Sequence, residues 1–409
     1  MKSDTRNLLR RAVQRRATAL TALICGLVTV AVTGASSAGA GPERNADMIA
    51  GTRAAPSVVS SGARLSLPRP TGRFAVGVRS AFVLDPARTE PVTGGPRALP
   101  VRVWYPAKRS RGPVAPYTSA PVQAAIEGFL GAPTGLFDVD THATVDAPAR
   151  RHVRGVLLVS PGFLNVVAFY TGLIAELASR GYVLVAFDHP HDGLLVEQPD
   201  GSLIGSDFLD DEAAFQARLL DVGVVLATLR ELVPQARRRT PIGIFGHSNG
   251  GATAGEAMLQ HPEIGAGVNL DGFIPGGSIM PGDLLTEGLD RPFGLMLSTD
   301  QRPEGLREIE IFLSNMRAPH PVRSLAIRHQ GYSDFVVFNP QIQRIDPALA
   351  SFIEETIPIP TGTLDSLRAG RRALERQREF LVRFFNRYLG KKRAEEEDSD
   401  ERTTSPDTR

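Results

Sequence analysis

The spacing of apolar residues changes partway along this chain, and the change marks two kinds of structure. Phe74 to Leu84 and Leu99 to Tyr105 read as early strands. In the second, Val101, Val103 and Tyr105 alternate with Arg102 and Trp104, the period-two pattern that suits an antiparallel opening hairpin. Tyr117 to Leu136 is expected as a helix and loop outside the core. From Val156 the apolar runs become continuous, as in parallel strands buried on both faces. Val156–Val159, Tyr182–Phe187, Pro241–Phe245, Ile264–Leu270, Pro292–Ser298 and Val322–Arg328 are the expected strands. Phe169–Ser179, Asp210–Leu232, Asn249–Gln260, Glu304–Ser314 and Leu367–Leu389 are the expected helices. This alternation predicts an α/β domain, a mostly parallel central sheet with helices on both faces.

Sites in such sheets form beyond the C-terminal strand ends. Those ends here carry Ser160-Pro161-Gly162, Asp188-His189, Ser248, Asp271, Asp300 and His329. Ser248 lies in IFGHSNGG, Ile244 to Gly251, which fits the G-x-S-x-G pattern of a nucleophile elbow. A sharp strand-to-helix turn exposes a serine but crowds the backbone, so the flanking positions must be small. A serine nucleophile needs a base, and His329, just past the last strand, can fold back over the elbow. His247 is expected to point away into the turn, and His189 and His191 are second-tier candidates. The base needs an orienting acid. Asp271 and Asp300 both satisfy the chain order Ser, Asp, His, and strand position slightly favours Asp300. An oxyanion hole needs two N–H donors. Asn249, directly after the serine, and Phe163, after Gly162, are the candidates. Asp188-His189-Pro190-His191-Asp192 has the composition of a metal loop. It lacks a third-ligand motif elsewhere and reads better as a polar loop lining the pocket or holding the oxyanion turn. No metal or organic cofactor is expected.

The remaining segments bound this domain. Residues 1–40 have a basic start (Arg6, Arg10, Arg11, Arg15, Arg16), an apolar run from Ala17 to Val32 and a small-residue end, Ala38-Gly39-Ala40. They read as a cleaved export signal rather than a permanent anchor, so the protein is expected to be secreted. The sole cysteine, Cys25, falls inside this segment. Residues 1–40 carry six of the 46 basic and one of the 44 acidic residues, so the rest carries a formal charge of −3. The basic balance therefore belongs to the signal, and nucleic acid is not an expected partner. Residues 41–67 read as a flexible lead-in, 68–390 as the catalytic domain and 391–409 as a disordered charged tail.

Several segments resemble the α/β-hydrolases, and within them the plasma and type II platelet-activating-factor acetylhydrolases. TGRFAVGVRS (Thr71 to Ser80), VWYPA (Val103 to Ala107) and LLVSPGF (Leu157 to Phe163) are similar to that family's opening strands and oxyanion turn. ELASRGYVLVAFDH (Glu176 to His189), GHSNGGATA (Gly246 to Ala254), NLDGF (Asn269 to Phe273) and RHQGYSDF (Arg328 to Phe335) resemble its later segments. The resemblance implies the α/β-hydrolase fold and a Ser-His-Asp triad. In that family the acid follows the elbow helix, 23 residues past the serine. This implies Asp271 rather than Asp300, and His329 as base. It also implies hydrolysis of a short-chain or phospholipid sn-2 ester, with transient contact with a lipid surface. One departure stands out. The family commonly has Ser-His-Gly in the oxyanion turn, where this chain has Pro161, which has no N–H to donate. A general secreted carboxylesterase, lipase or polyester hydrolase is the alternative. A non-catalytic binding protein on the same scaffold is the third, and it would predict a missing triad member.

Overall fold

Strand β4 (Val156–Ser160) is buried along its whole length, because it has neighbours on both sides and helices above and below. The computed structural model describes residues 64–206, 211–299, 301–356 and 366–389. The expected signal, most of the lead-in, the C-terminal tail and Asp300 lie outside the described residues. In chain order, β1 (Ala75–Thr89) and β2 (Pro96–Ala107) precede α1 (Ala120–Leu130), β3 (Ala143–Val145) and β4. A 3-10 turn (Val167–Tyr170) leads into α2 (Thr171–Ser179), then β5 (Val183–Phe187), the small pair β6 (Leu195–Glu197) and β7 (Leu203–Gly205), α3 (Asp211–Ala227) and α4 (Leu229–Leu232). There follow β8 (Ile242–His247), α5 (Asn249–Gln260), β9 (Ile264–Leu270), α6 (Leu284–Glu287), β10 (Phe293–Leu297), α7 (Pro303–Asn315) and β11 (Val322–Ser324). A second 3-10 turn (His329–Tyr332) precedes α8 (Phe335–Ile345), α9 (Pro347–Thr356) and α10 (Leu367–Tyr388).

The main sheet runs β11-β10-β9-β8-β4-β5-β2-β1-β3. The six strands from β11 to β5 are parallel, while β2 pairs antiparallel with both β5 and β1. This is the expected opening hairpin on a parallel sheet. Strand alternation divides the core. Leu157 and Val159 of β4 face one apolar cluster, and Val156 and Leu158 face the other. The same division holds on β5, where Leu184 and Ala186 oppose Val183, Val185 and Phe187. Leu65 and Leu67, at the end of the segment read as lead-in, are buried in the first cluster.

Four expectations need adjustment. The helix and loop over Tyr117 to Leu136 are not outside the core: Tyr117, Val122, Ile126, Leu130 and Leu136 are buried in the first apolar cluster. The helix expected over Asp210–Leu232 is broken at Thr228, whose hydroxyl donates back to the carbonyl of Val224 at 3.0 Å. A hydroxyl that bonds its own preceding turn competes with the helical ladder. The last strand spans Val322–Ser324 rather than reaching Arg328, and the chain leaves the sheet edge to carry His329 inward. Helices α8 and α9 are not among the expected helices, and Pro340 lies inside α8. The proline removes the bond to the carbonyl of Val336. Gly370 of α10 packs at that carbonyl, where a Cβ would stand 2.1 Å from the oxygen.

Helix α5 reaches the end of β4 by the same device. A Cβ on Gly250 would lie 2.1 Å from the carbonyl oxygen of Ser160, and one on Gly246 would lie 2.3 Å from the backbone of Gly250. These contacts are with backbone and cannot yield by a rotamer change. Gly250→Ala is therefore expected to destabilise the protein by roughly 1–3 kcal/mol or to prevent folding. Denaturant midpoints of this variant beside Ala252→Gly check the origin of the effect. A Gly250→Ala midpoint equal to that of the parent would disprove the packing argument.

Candidate active site

Ser248 sits between β8 and α5 with φ 54° and ψ −124°. A non-glycine residue in this region stores about 1–3 kcal/mol of strain and holds only where the surroundings over-determine it. The determinants are visible: Ser248 N–H donates to the carbonyl of Leu270 at 2.9 Å, and the Ser248 carbonyl receives the N–H groups of Gly251 and Ala252. His329, on the 3-10 turn beyond β11, points Nδ1 at Asp271 Oδ2 at 2.7 Å. Asp271 also has positive φ, 58°, at the end of β9. Its other oxygen accepts the Ser298 N–H at 2.6 Å and the Gln301 side-chain amide at 2.5 Å. The acid on the imidazole is thus Asp271, the one that the family resemblance implies; strand position had slightly favoured Asp300, which lies outside the described residues. The ring of His329 lies 4.5 Å, centroid to centroid, from that of His247, the residue before Ser248.

The turn after β4 comes up against the elbow. A Cβ on Gly162 would stand 3.2 Å from that of Ser248. Phe163 follows on the same turn, and Asn249 opens α5, where the first N–H groups of a helix have no partner within it. The expected residues Ser248, Asp271, His329, Phe163 and Asn249 thus gather at one end of the sheet.

A second hydrogen-bonded Ser-His-Asp set lies beneath that turn. Ser160 Oγ is 2.9 Å from His189 Nε2, and His189 Nδ1 is 2.8 Å from Asp221 Oδ2. Burial pushes the Asp221 carboxyl up, but the hydrogen bonds from Arg97 and His189 outweigh it and hold it below the usual range. Burial, reinforced by Arg218, keeps His189 neutral. The Asp221 carboxylate then fixes the proton on Nδ1, and the Ser160 hydroxyl donates to Nε2. The connectivity is that of a nucleophile set, but the exposure is not. His189 is 1% exposed, whereas the His329 side chain is 16% exposed. Arg218 pairs with Asp192 and donates to the carbonyl of Pro161 at 2.8 Å, and Arg97 pairs with Asp221. This network braces the turn from below. Of the two readings of the loop Asp188 to Asp192, the structure bears out the one in which it holds the turn. His189, His191 and Asp192 are buried, and Asp188 accepts the Val167 N–H at 2.6 Å. His191 bonds Glu90 at 2.6 Å.

The sequence reading missed Tyr170, Arg218, Asp221 and the part played by His247. Arg218 and Asp221 lie at a helical i, i+3 spacing on α3, the only signal they offered. The loop carrying His329 is further anchored by Gln377 of α10, which donates to the Gly331 carbonyl at 2.7 Å. Asp334 accepts the Gly172 N–H at 2.9 Å and the Tyr117 hydroxyl at 3.0 Å. Burial pushes the Asp334 carboxyl up to about 7, against those two hydrogen bonds.

No protein-family model matches the chain. It is 28% identical over 240 residues to a probable 1-alkyl-2-acetylglycerophosphocholine esterase of Arthroderma benhamiae, a match covering 53% of this chain. The chain spans 61% of the length of that relative. Among solved structures it is similar to a ferulic acid esterase from Streptomyces cinnamoneus, with 29% identity and a TM-score of 0.66. That match covers 80% of this chain and 94% of the other.

A fluorophosphonate probe is expected to modify Ser248 and to leave Ser160 untouched, as read by mass spectrometry of the labelled peptides. A label on Ser160 would reverse the assignment of the two sets. A carboxyl raised in the folded state favours folding in its neutral form, so its contribution is full below pH 4 and is lost as pH rises through about 7. The neutral Asp334→Asn variant should therefore gain in melting temperature relative to the parent between pH 5 and pH 8. An equal difference at both pH values would rule out this titration. The chain has the α/β-hydrolase fold, and both of these similar proteins are described as esterases.

Proposed function

We propose that this protein is a serine carboxylic-ester hydrolase in which Ser248 is the nucleophile, His329 the base and Asp271 the orienting acid. The observation that carries the reading is the 2.7 Å contact between His329 Nδ1 and Asp271 Oδ2, on the loop that packs against a strained serine elbow. His329 Nε2 takes the Ser248 proton as Oγ attacks the ester carbonyl. The N–H groups of Phe163 and Asn249 stabilise the negative oxygen of the tetrahedral intermediate. The imidazolium, held by Asp271, then protonates the leaving alcohol. Water repeats the sequence on the acyl-enzyme and releases the acid. Every step uses side chains and backbone donors of this chain.

Two substrate classes have specific support. The relative from Arthroderma, the departures at Pro161 notwithstanding, favours a short acyl ester at the sn-2 position of a glycerophosphocholine. The solved esterase, which matches over nearly its whole length, favours an ester of an aromatic acid. Export through residues 1–40 belongs to the same reading and would put the enzyme where either substrate class is met.

Ser248→Ala is expected to lower kcat by about 10³- to 10⁶-fold, and Asp271→Asn by about 10⁴-fold, with the fold retained. Hydrolysis of p-nitrophenyl esters of graded chain length measures both. Undiminished turnover by Ser248→Ala would sink the mechanism. A competition between a 2-acetyl glycerophosphocholine and a methyl hydroxycinnamate then decides the substrate class by kcat/KM.

A further inference from the structure

Two buried side chains join the oxyanion turn to the base loop, and the reaction set out above does not use either of them. Gly162 N–H donates to Tyr170 Oη at 3.1 Å. Tyr170 Oη lies 2.9 Å from His247 Nδ1, and His247 Nε2 lies 3.0 Å from the carbonyl oxygen of His329. The direction of this chain follows from its ends. A carbonyl only accepts, so His247 Nε2 carries the proton. A neutral imidazole with Nε2–H has Nδ1 as an acceptor, so Tyr170 donates to it. The Tyr170 oxygen is then free to accept from Gly162. Each polar atom is used once, with no alternative arrangement.

We propose that Tyr170 and His247 are positioning residues, which lock the oxyanion-hole turn and the His329 loop into one register across the Ser248 elbow. The proposal rests on the serine-hydrolase reading of Ser248, His329 and Asp271. Tyr170 is 1% exposed and His247 fully buried, so neither can touch a substrate. Their effect passes through Gly162, next to Phe163, and through the backbone of His329 itself. Ester hydrolysis needs the donor at Phe163 and the imidazole of His329 to be correct at the same moment, although they come from turns after β4 and β11. The sheet places the two turns at one end, with β8, β9 and β10 between them. The relay spans that gap on the residue next to the nucleophile.

The identity of the middle residue follows from the same chemistry. His247 packs against a ring that becomes positive during turnover. A cationic neighbour would oppose that charge. Burial, with His329 as the second cause, holds His247 well below the usual histidine range, so it stays neutral. A neutral imidazole supplies one donor and one acceptor on opposite sides of a rigid ring. Serine or lysine at this position could not bridge both turns.

Tyr170→Phe keeps the ring and removes the hydroxyl. Misplacement of reacting groups by about 1 Å costs on the order of 10²-fold. The expected result is a loss of about 10- to 100-fold in kcat per titrated active site, with KM changed by less than about threefold. Affinity for a phenylboronic acid, which binds serine as a tetrahedral anion, should fall by a similar factor. His247→Asn retains an acceptor near the Nδ1 position and loses the donor to the His329 carbonyl. It should likewise lower kcat per titrated active site by about 10- to 100-fold with KM changed by less than about threefold, because the His329 loop loses its tie to the elbow. A Tyr170→Phe enzyme with parental kcat per labelled site and parental boronate affinity would overturn the proposal, even if its melting temperature falls. In that case the chain only supports folding. If the parent protein is not labelled at Ser248 by a fluorophosphonate, the underlying mechanism fails and takes the proposal with it. Labelling of both proteins with unchanged kinetics defeats the positioning role alone.

Discussion

The end of β4 and the start of α5 approach so closely that side chains are excluded between them. Gly250 lies on the Ser160 carbonyl, and Gly246 lies on Gly250. This contact compresses the turn that carries Ser248 into positive φ and lifts the serine above the strand ends. It also sets the distance from the serine to Gly162, because the oxyanion turn continues directly from Ser160. Geometry at Ser248 and geometry at the turn after β4 are therefore one constraint. Packing of this kind is not graded. Backbone against backbone leaves no rotamer to absorb an added methyl group.

A turn pressed against the elbow must also be held from its other side. The structure does this with buried charge. Arg218 binds the Pro161 carbonyl while paired with Asp192, and Ser160 bonds through His189 to Asp221, itself paired with Arg97. Buried ion pairs of this sort are weak evidence for stability, because desolvation offsets much of their attraction. Their contribution here is directional: each hydrogen bond fixes an orientation that an apolar filling would leave open. Pro161 itself offers no N–H, so Arg218 grips the carbonyl beside it. The same economy explains a hydrogen-bonded Ser-His-Asp set sealed below the surface. The two sets share their connectivity and differ in access, which the His329 side chain has and His189 lacks.

Much of this architecture was legible along the chain. Continuous apolar runs at β4, β5, β9 and β10 gave the parallel sheet, because a strand covered on both faces has no polar positions to spare. The glycines around Ser248 gave the elbow for a local steric reason. The strand-end rule gathered Asp271, His329 and Phe163 into one region. The less legible parts depended on partners far away in sequence. Helix α8 forms despite Pro340 because α10 packs its Gly370 against the exposed carbonyl. His247 looked like a bystander because its role needs Tyr170 and the backbone of His329, neither of them near it in the chain.

What the sequence determined by itself was a set of local rules: the period of each strand, the small residues of the elbow, the capacity of a serine, a histidine and an aspartate for the same reaction. Those rules act within a few residues and survive without knowledge of the rest. The partner of the imidazole was of another kind. Strand position alone slightly favoured Asp300 and only a family resemblance pointed to Asp271; hydrogen bonding falls off within a few ångströms, so the contact between Asp271 and Nδ1 of His329 is a property of the folded sheet. The same holds for the two Ser-His-Asp sets. Their residue types are identical, and the tertiary structure separates them by burying His189 and leaving an edge of His329 open to solvent.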